Sequence, residues 1–257
     1  MVMRSSLVVF RNELRILRRD PAWLILVFLI PLILVGLMRG GVRFILVLTG
    51  HPGASGADFS VPAQAVTFVF YLPGLIGLSF LREHGWETWV RLRASGTSRA
   101  QILLGKILPI LVLGFLQMVV VFGVGTAAYG LQIKGSAVGV ALVASALVVT
   151  VIAMGLAITA IVRTVQQLNA IGNIAPVALG ALGGALMPLA TLPAWVHRVA
   201  PATPQYWAMR GFNGLILDGQ GLRSALLPTL MLLSFGVAFT VVAVVGLRKA
   251  ENRLSFG

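Results

Sequence analysis

Few residues in this 257-residue chain are placed to do covalent chemistry. Gly77-Leu78-Ser79-Phe80 carries the GxSx arrangement of a serine nucleophile. Such a serine needs a base beside it, yet no apolar run holds a histidine, so Ser79 is expected to pack helices. His51, His84 and His197 are scattered through loops and there is no cysteine, which leaves no ligand set for zinc or an iron–sulfur cluster. Leu104-Gly105-Lys106-Ile107 is a fragment of a phosphate-binding loop without its first glycine or its hydroxyl residue, so this chain is not expected to hydrolyse a nucleotide. The side chains left with chemical potential are amides and aromatics. Gln166, Asn169 and Asn173 share one helical face at i, i+3, i+7 spacing. They would border a translocation path or a subunit seam, or else bond routinely between helices. Gly180 and Gly184 form a small-xxx-small pair that permits close helix approach at such a seam.

The elements that carry these residues must lie in a bilayer. The chain is 58% hydrophobic and 11% charged, with a mean hydropathy of +0.96. A soluble domain carries about 25% charged residues. The chain has about 149 apolar residues, 58% of 257, and a helical span needs about 20. An all-α polytopic membrane protein follows, with one transmembrane domain over 1–257. Six spans are predicted, at 22–38, 61–81, 102–129, 138–162, 168–189 and 225–247, with residues 39–60 as a connecting loop. Residues 4–20 read as a basic amphipathic helix in the membrane interface, with Arg4, Arg11, Arg15, Arg18 and Arg19 on one arc.

The net charge of +13 falls between the apolar runs, which points to topology and anionic lipid rather than to nucleic acid. With six spans both termini share a side. Placing them inside puts 14 Lys and Arg on that side, in the interfacial helix, the loop 82–106, Arg163 and the tail, against 6 outside. The positive-inside rule then makes both termini cytoplasmic, in a cytoplasmic membrane. No predicted span carries an ionisable residue near its middle, which argues against a proton- or ion-coupled carrier and is compatible with energy arriving from another subunit.

Two loops are informative. The cytoplasmic loop 82–99 holds Glu83, Gly85-Trp86, Thr88-Trp89 and Arg91-Leu92-Arg93-Ala94-Ser95, and leads into Ile102-Leu103-Leu104-Gly105-Lys106. Its apolar face beside arginines could press on another protein. The segment 186–211 is broken by Pro193, Pro201 and Pro204 and carries Trp195, Tyr206 and Trp207, aromatics that favour the headgroup layer. Broken helices dipping into the outer leaflet are expected there.

Together these loops resemble those of ABC-2-type exporter permeases, most closely the daunorubicin-resistance-type membrane subunits of actinobacteria. The resemblance implies a half-transporter that pairs with a second permease subunit, identical or paralogous, and exports a drug, a lipid or another amphiphile. It implies separate ABC ATPase subunits that bind the ATP and Mg, with no cofactor in this chain. Glu83, Trp86, Trp89, Arg91 and Leu92 would couple to the ATPase, and Pro193, Trp195, Tyr206 and Trp207 would form an outer gate. A non-ABC channel or a secondary carrier is the alternative.

Overall fold

The computed structural model describes Arg15 and residues 21–85 and 99–254, and these residues form helices without a strand. The first helix, α1 (Pro21–Leu48), is 28 residues long. Pro31 has no N–H to donate to the preceding turn. The helix widens there into a π turn over Ile25–Leu29, with the Ile30 N–H donating to the Ile25 carbonyl. Ile30–Leu48 then runs unbroken through Arg39, Gly40, Gly41 and Arg43. The sequence pattern had ended this span at 38 and placed 39–60 in a loop, because two arginines and two glycines interrupt its hydropathy. The flanking Leu and Val residues sustain the helix, and the two arginines lie inside it.

The second traverse is α2 (Gly56–Val69) followed by α3 (Leu72–Gly85). It begins at Gly56 rather than 61, because Ser55 and Asp58 form a reciprocal capping box. The break at Phe70-Tyr71 precedes Pro73, which cannot donate to Val69. Every residue of α2 is buried, making it the central helix. Then come α4 (Arg99–Tyr129), α5 (Ala137–Ile161) and α6 (Val165–Gly183). A 3₁₀ turn (Leu189–Thr191), α7 (Ala194–Val199) and a second 3₁₀ turn (Ala200–Ala202) lead into α8 (Pro204–Ile216) and α9 (Arg223–Leu254).

Close contacts fix the directions of travel. At one end, Gly135 N–H donates to Leu215 and Ser136 N–H to Gln220, Ser55 Oγ lies 3.2 Å from the Gly130 carbonyl, and His51 pairs with Asp218 at 3.1 Å. At the other, Lys106 meets Ser79. We name these the Ser55 end and the Lys106 end. α5 and α9 run parallel: a Cβ on Gly236 would stand 3.4 Å from Thr150, and one on Gly246 would stand 2.8 Å from Ala160. Two successive long helices can be parallel only if the chain between them crosses back. α6 starts that return at the Lys106 end and α8 completes it, so the fifth traverse is made in two pieces.

Among the described residues five helical stretches are long and apolar enough to cross a membrane, and α6 is not one of them. Its amides lower its hydropathy, so the continuous span predicted at 168–189 is replaced by the α6–α8 relay. The outward faces elsewhere are apolar. Leu226, Leu230, Leu233, Val237 and Val241 form an exposed stripe along α9. In water such a stripe would have to be covered; in a bilayer lipid tails cover it.

Candidate functional site

The relay between α6 and α8 is built by glycine and by one buried amide. Gln205 is fully buried and its Nε2 donates to the Pro176 carbonyl at 3.3 Å. A Cβ on Gly180 would approach its Oε1 at 3.3 Å, and one on Gly183 would stand 2.8 Å from both the Gln205 Cβ and the Tyr206 nitrogen. Gly180 and Gly183 thus let α8 lie against α6 within the chain. Gly184 shapes the end of the helix. It ends α6 in the left-handed region at φ 77°, and Ala185 and Leu186 N–H fold back onto the Gly180 carbonyl. Gln205 itself gave no signal in the sequence beyond its place after Pro204, yet it joins the two half-helices. It lies ten residues before Leu215, hence about 15 Å in from the Ser55 end.

Residues 184–203 fill the gap with short turns. Pro193 precedes the first residue of α7, and Trp195 on that helix is 59% exposed. Trp207 differs from expectation. It is 8% exposed, its indole N–H donates to the Pro201 carbonyl at 2.9 Å, and Tyr206 meets it edge-on at 5.2 Å. Its polar group finds a partner inside the fold, so no headgroup is needed. Chains retaining a single tryptophan should report this directly. Trp195 fluorescence should be strongly quenched by a nitroxide at headgroup depth and Trp207 fluorescence only weakly. Equal quenching would overturn the packing described for α8.

The three amides of α6 face outward. Gln166, Asn169 and Asn173 are exposed on the isolated chain. Asn169 and Asn173 line a shallow, open notch together with Trp23, Tyr71, Leu78 and Leu168. The notch exists because Gly172 packs against Gly74, whose Cα would lie 3.6 Å from an added Cβ. It joins an aromatic wall from α1 and the α2–α3 break to an amide wall from α6. Trp23 and Tyr71 were not among the expected site residues, since nothing in the linear pattern brings α1 beside α6.

At the Lys106 end, Glu83 falls in the last turn of α3. Trp86, Trp89, Arg91 and Leu92 lie outside the described residues, as does the interfacial helix 4–20 apart from Arg15. What the structure adds is Lys106. It is 1% exposed, its Nζ donates to the Ser79 carbonyl at 2.6 Å, and it stands 5.0 Å from the centroid of the Phe80 ring. The start of α4 is thereby tied to α3, close to where the chain leaves for and returns from the loop.

The linearmycin resistance permease protein LnrN of Bacillus subtilis (strain 168) is 28% identical over 169 residues, 65% of this chain and 44% of that protein. The match therefore spans less than half the length of that relative. The ABC-2 type transporter family matches residues 5–217, which takes in the loop at the Lys106 end, the notch and the α6–α8 relay. With most of its length matched and its helices arranged to cross a bilayer, this chain belongs to the ABC-2 type transporter family.

Proposed function

We propose that this chain is the membrane-spanning permease subunit of an ATP-driven exporter, moving a drug, a lipid or another amphiphile out across the cytoplasmic membrane. The family match carries this reading, and a relative named as a resistance permease supports export. ATP and Mg are bound by separate ABC ATPase subunits, and a second permease, identical or paralogous, completes the path. The Lys106 end faces the cytoplasm. The start of α1, the α3–α4 connection, Arg163 and the end of α9 gather there, and extending α1 to Leu48 leaves the 14-to-6 division of basic residues unchanged.

The loop 82–99 docks on the ATPase through Trp86, Trp89 and Leu92, oriented by Glu83 and Arg91. Lys106 fixes α3 to α4, so that a push on the loop moves both helices together. The exposed amides Gln166, Asn169 and Asn173 border the path, where they offer hydrogen bonds that lipid tails cannot. The segment of Pro193, Trp195, Tyr206 and Trp207 closes the outer side of the path above Gln205.

The test is co-purification with an ABC ATPase subunit from the native membrane. A stable complex whose hydrolysis rises on adding an amphiphile is expected; a chain that never retains that ATPase refutes the proposal. Replacing Asn169 and Asn173 together with leucine removes two hydrogen-bonding groups worth about 0.5–1.5 kcal/mol each. Transport should fall by about tenfold or more while the ATPase stays bound. Transport at the parental rate would remove the amides from the path.

A further inference from the structure

We infer that Arg39 and Arg43 on α1 form a clamp for the phosphate of an anionic phospholipid in the leaflet at the Ser55 end. The two arginines are one turn apart, so they project on nearly the same side of the helix. Both are exposed. They continue a stripe that begins where Tyr129, the last residue of α4, donates its hydroxyl to the Leu32 carbonyl at 2.9 Å. The ring then runs past Gly36, and the Arg39 guanidinium carbon stands 5.5 Å from its centroid. Because α4 stops at Tyr129, no further turn of that helix covers the stripe beyond Arg39.

Their depth is set independently from both sides. Arg39 is 18 residues beyond Pro21, about 27 Å along the helix, close to the roughly 30 Å of a hydrocarbon core. Its backbone also packs directly on Gly56, the first residue of α2. The arginines therefore stand where a neighbouring span begins, at the level of headgroups.

Among the described residues at the Ser55 end no carboxylate is left to supply the counter-charge. Between residues 21 and 246, apart from the loop at the Lys106 end, the only carboxylates are Asp58 and Asp218. Asp58 is 1% exposed and accepts from the Ser55 N–H, the Ser55 hydroxyl and the Gln132 N–H. Asp218 is paired with His51 at 3.1 Å. No ion pair of Arg39 or Arg43 occurs among the described residues. Leu37 is 74% exposed and Phe44 67% exposed, so apolar surface flanks the two charges along the helix. Two forked donors beside acyl-chain surface match a phosphodiester that carries its own tails. A soluble phosphate would leave the apolar flanks unused.

The chain has no cysteine, which makes a site-specific reporter simple to place. Gly40 is exposed and an added Cβ there meets nothing within 4 Å. A fluorophore on Gly40→Cys, in vesicles of phosphatidylcholine, is titrated with headgroup-labelled nitroxide phosphatidylglycerol or phosphatidylcholine. The expected result is a preference for phosphatidylglycerol of roughly fivefold or more, weakening with salt. It should fall to near unity in Arg39→Gln/Arg43→Gln, drop only partly in Arg39→Lys/Arg43→Lys, which keeps the charge and loses the fork, and be unchanged in Lys134→Gln or with millimolar glycerophosphate. The double lysine variant shows that a loss in the glutamine variant is not misfolding. A parent that does not distinguish the two lipids, as when a second copy covers this face, overturns the inference. So does a preference that persists in the glutamine variant.

Discussion

Gly56→Val is expected to lower the thermal unfolding midpoint of the purified chain sharply, whereas Gly53→Ala three residues away should leave it unchanged. A Cβ on Gly56 would fall onto the carbonyl oxygen of Arg39, and the obstacle is main chain within a helix, which cannot rotate aside. Overpacking of this kind costs about 1–3 kcal/mol and occasionally more. At the upper end that is a fall of roughly 6–12 °C for a chain of this size. The effect is large because Gly56 starts the fully buried α2, so separating it from α1 disturbs the centre of the bundle. At Gly53 an added Cβ meets nothing within 4 Å. Equal midpoints for the two variants would show that α1 and α2 do not approach as closely as described.

A second large effect is expected from Trp89→Ala combined with Leu92→Ala. If both side chains are anchors in a groove of the ATPase, truncating one costs about 2 kcal/mol or more, which is roughly 30-fold in affinity. Titrating the ATPase onto the chain in lipid nanodiscs should show at least that loss, with normal insertion of the variant into membranes. Amphiphile-stimulated hydrolysis should disappear with it. Affinity within a few-fold of the parent, with stimulation intact, would mean that the loop is held by headgroups and takes no part in coupling.

The sequence disclosed the class of fold because hydropathy alone dictates it. Long apolar runs with few charges have one stable solvent, and helices are the form in which they satisfy their backbones there. It misplaced the end of α1, because Arg39 and Arg43 weigh against a span in any hydropathy sum although a helix can carry them at headgroup depth. The fifth traverse was harder. The run 168–189 looks continuous, and only the tertiary contact of Gln205 with Pro176 reveals that α6 stops short and α8 finishes the crossing. Asn169 and Asn173 were legible as a face by their spacing. Trp23 and Tyr71 were not, since their place opposite those amides depends on how α1 and the α2–α3 break pack, which no local pattern encodes. The bond of Trp207 to Pro201 is equally illegible: an indole near a predicted interface and an indole bonded inside the fold have the same sequence.

What drives transport separates an ATP-driven permease from a carrier or a channel. The decisive measurement is uptake of a labelled amphiphile into inside-out vesicles containing this chain and its ATPase, with ATP and with an imposed ion or proton gradient as separate energy sources. Uptake should require ATP, stop when the catalytic carboxylate of the ATPase is replaced, and ignore the gradient. Uptake that follows the gradient, or that continues with the ATPase disabled, would make this chain a carrier or a channel and would contradict its place as an ATP-driven permease.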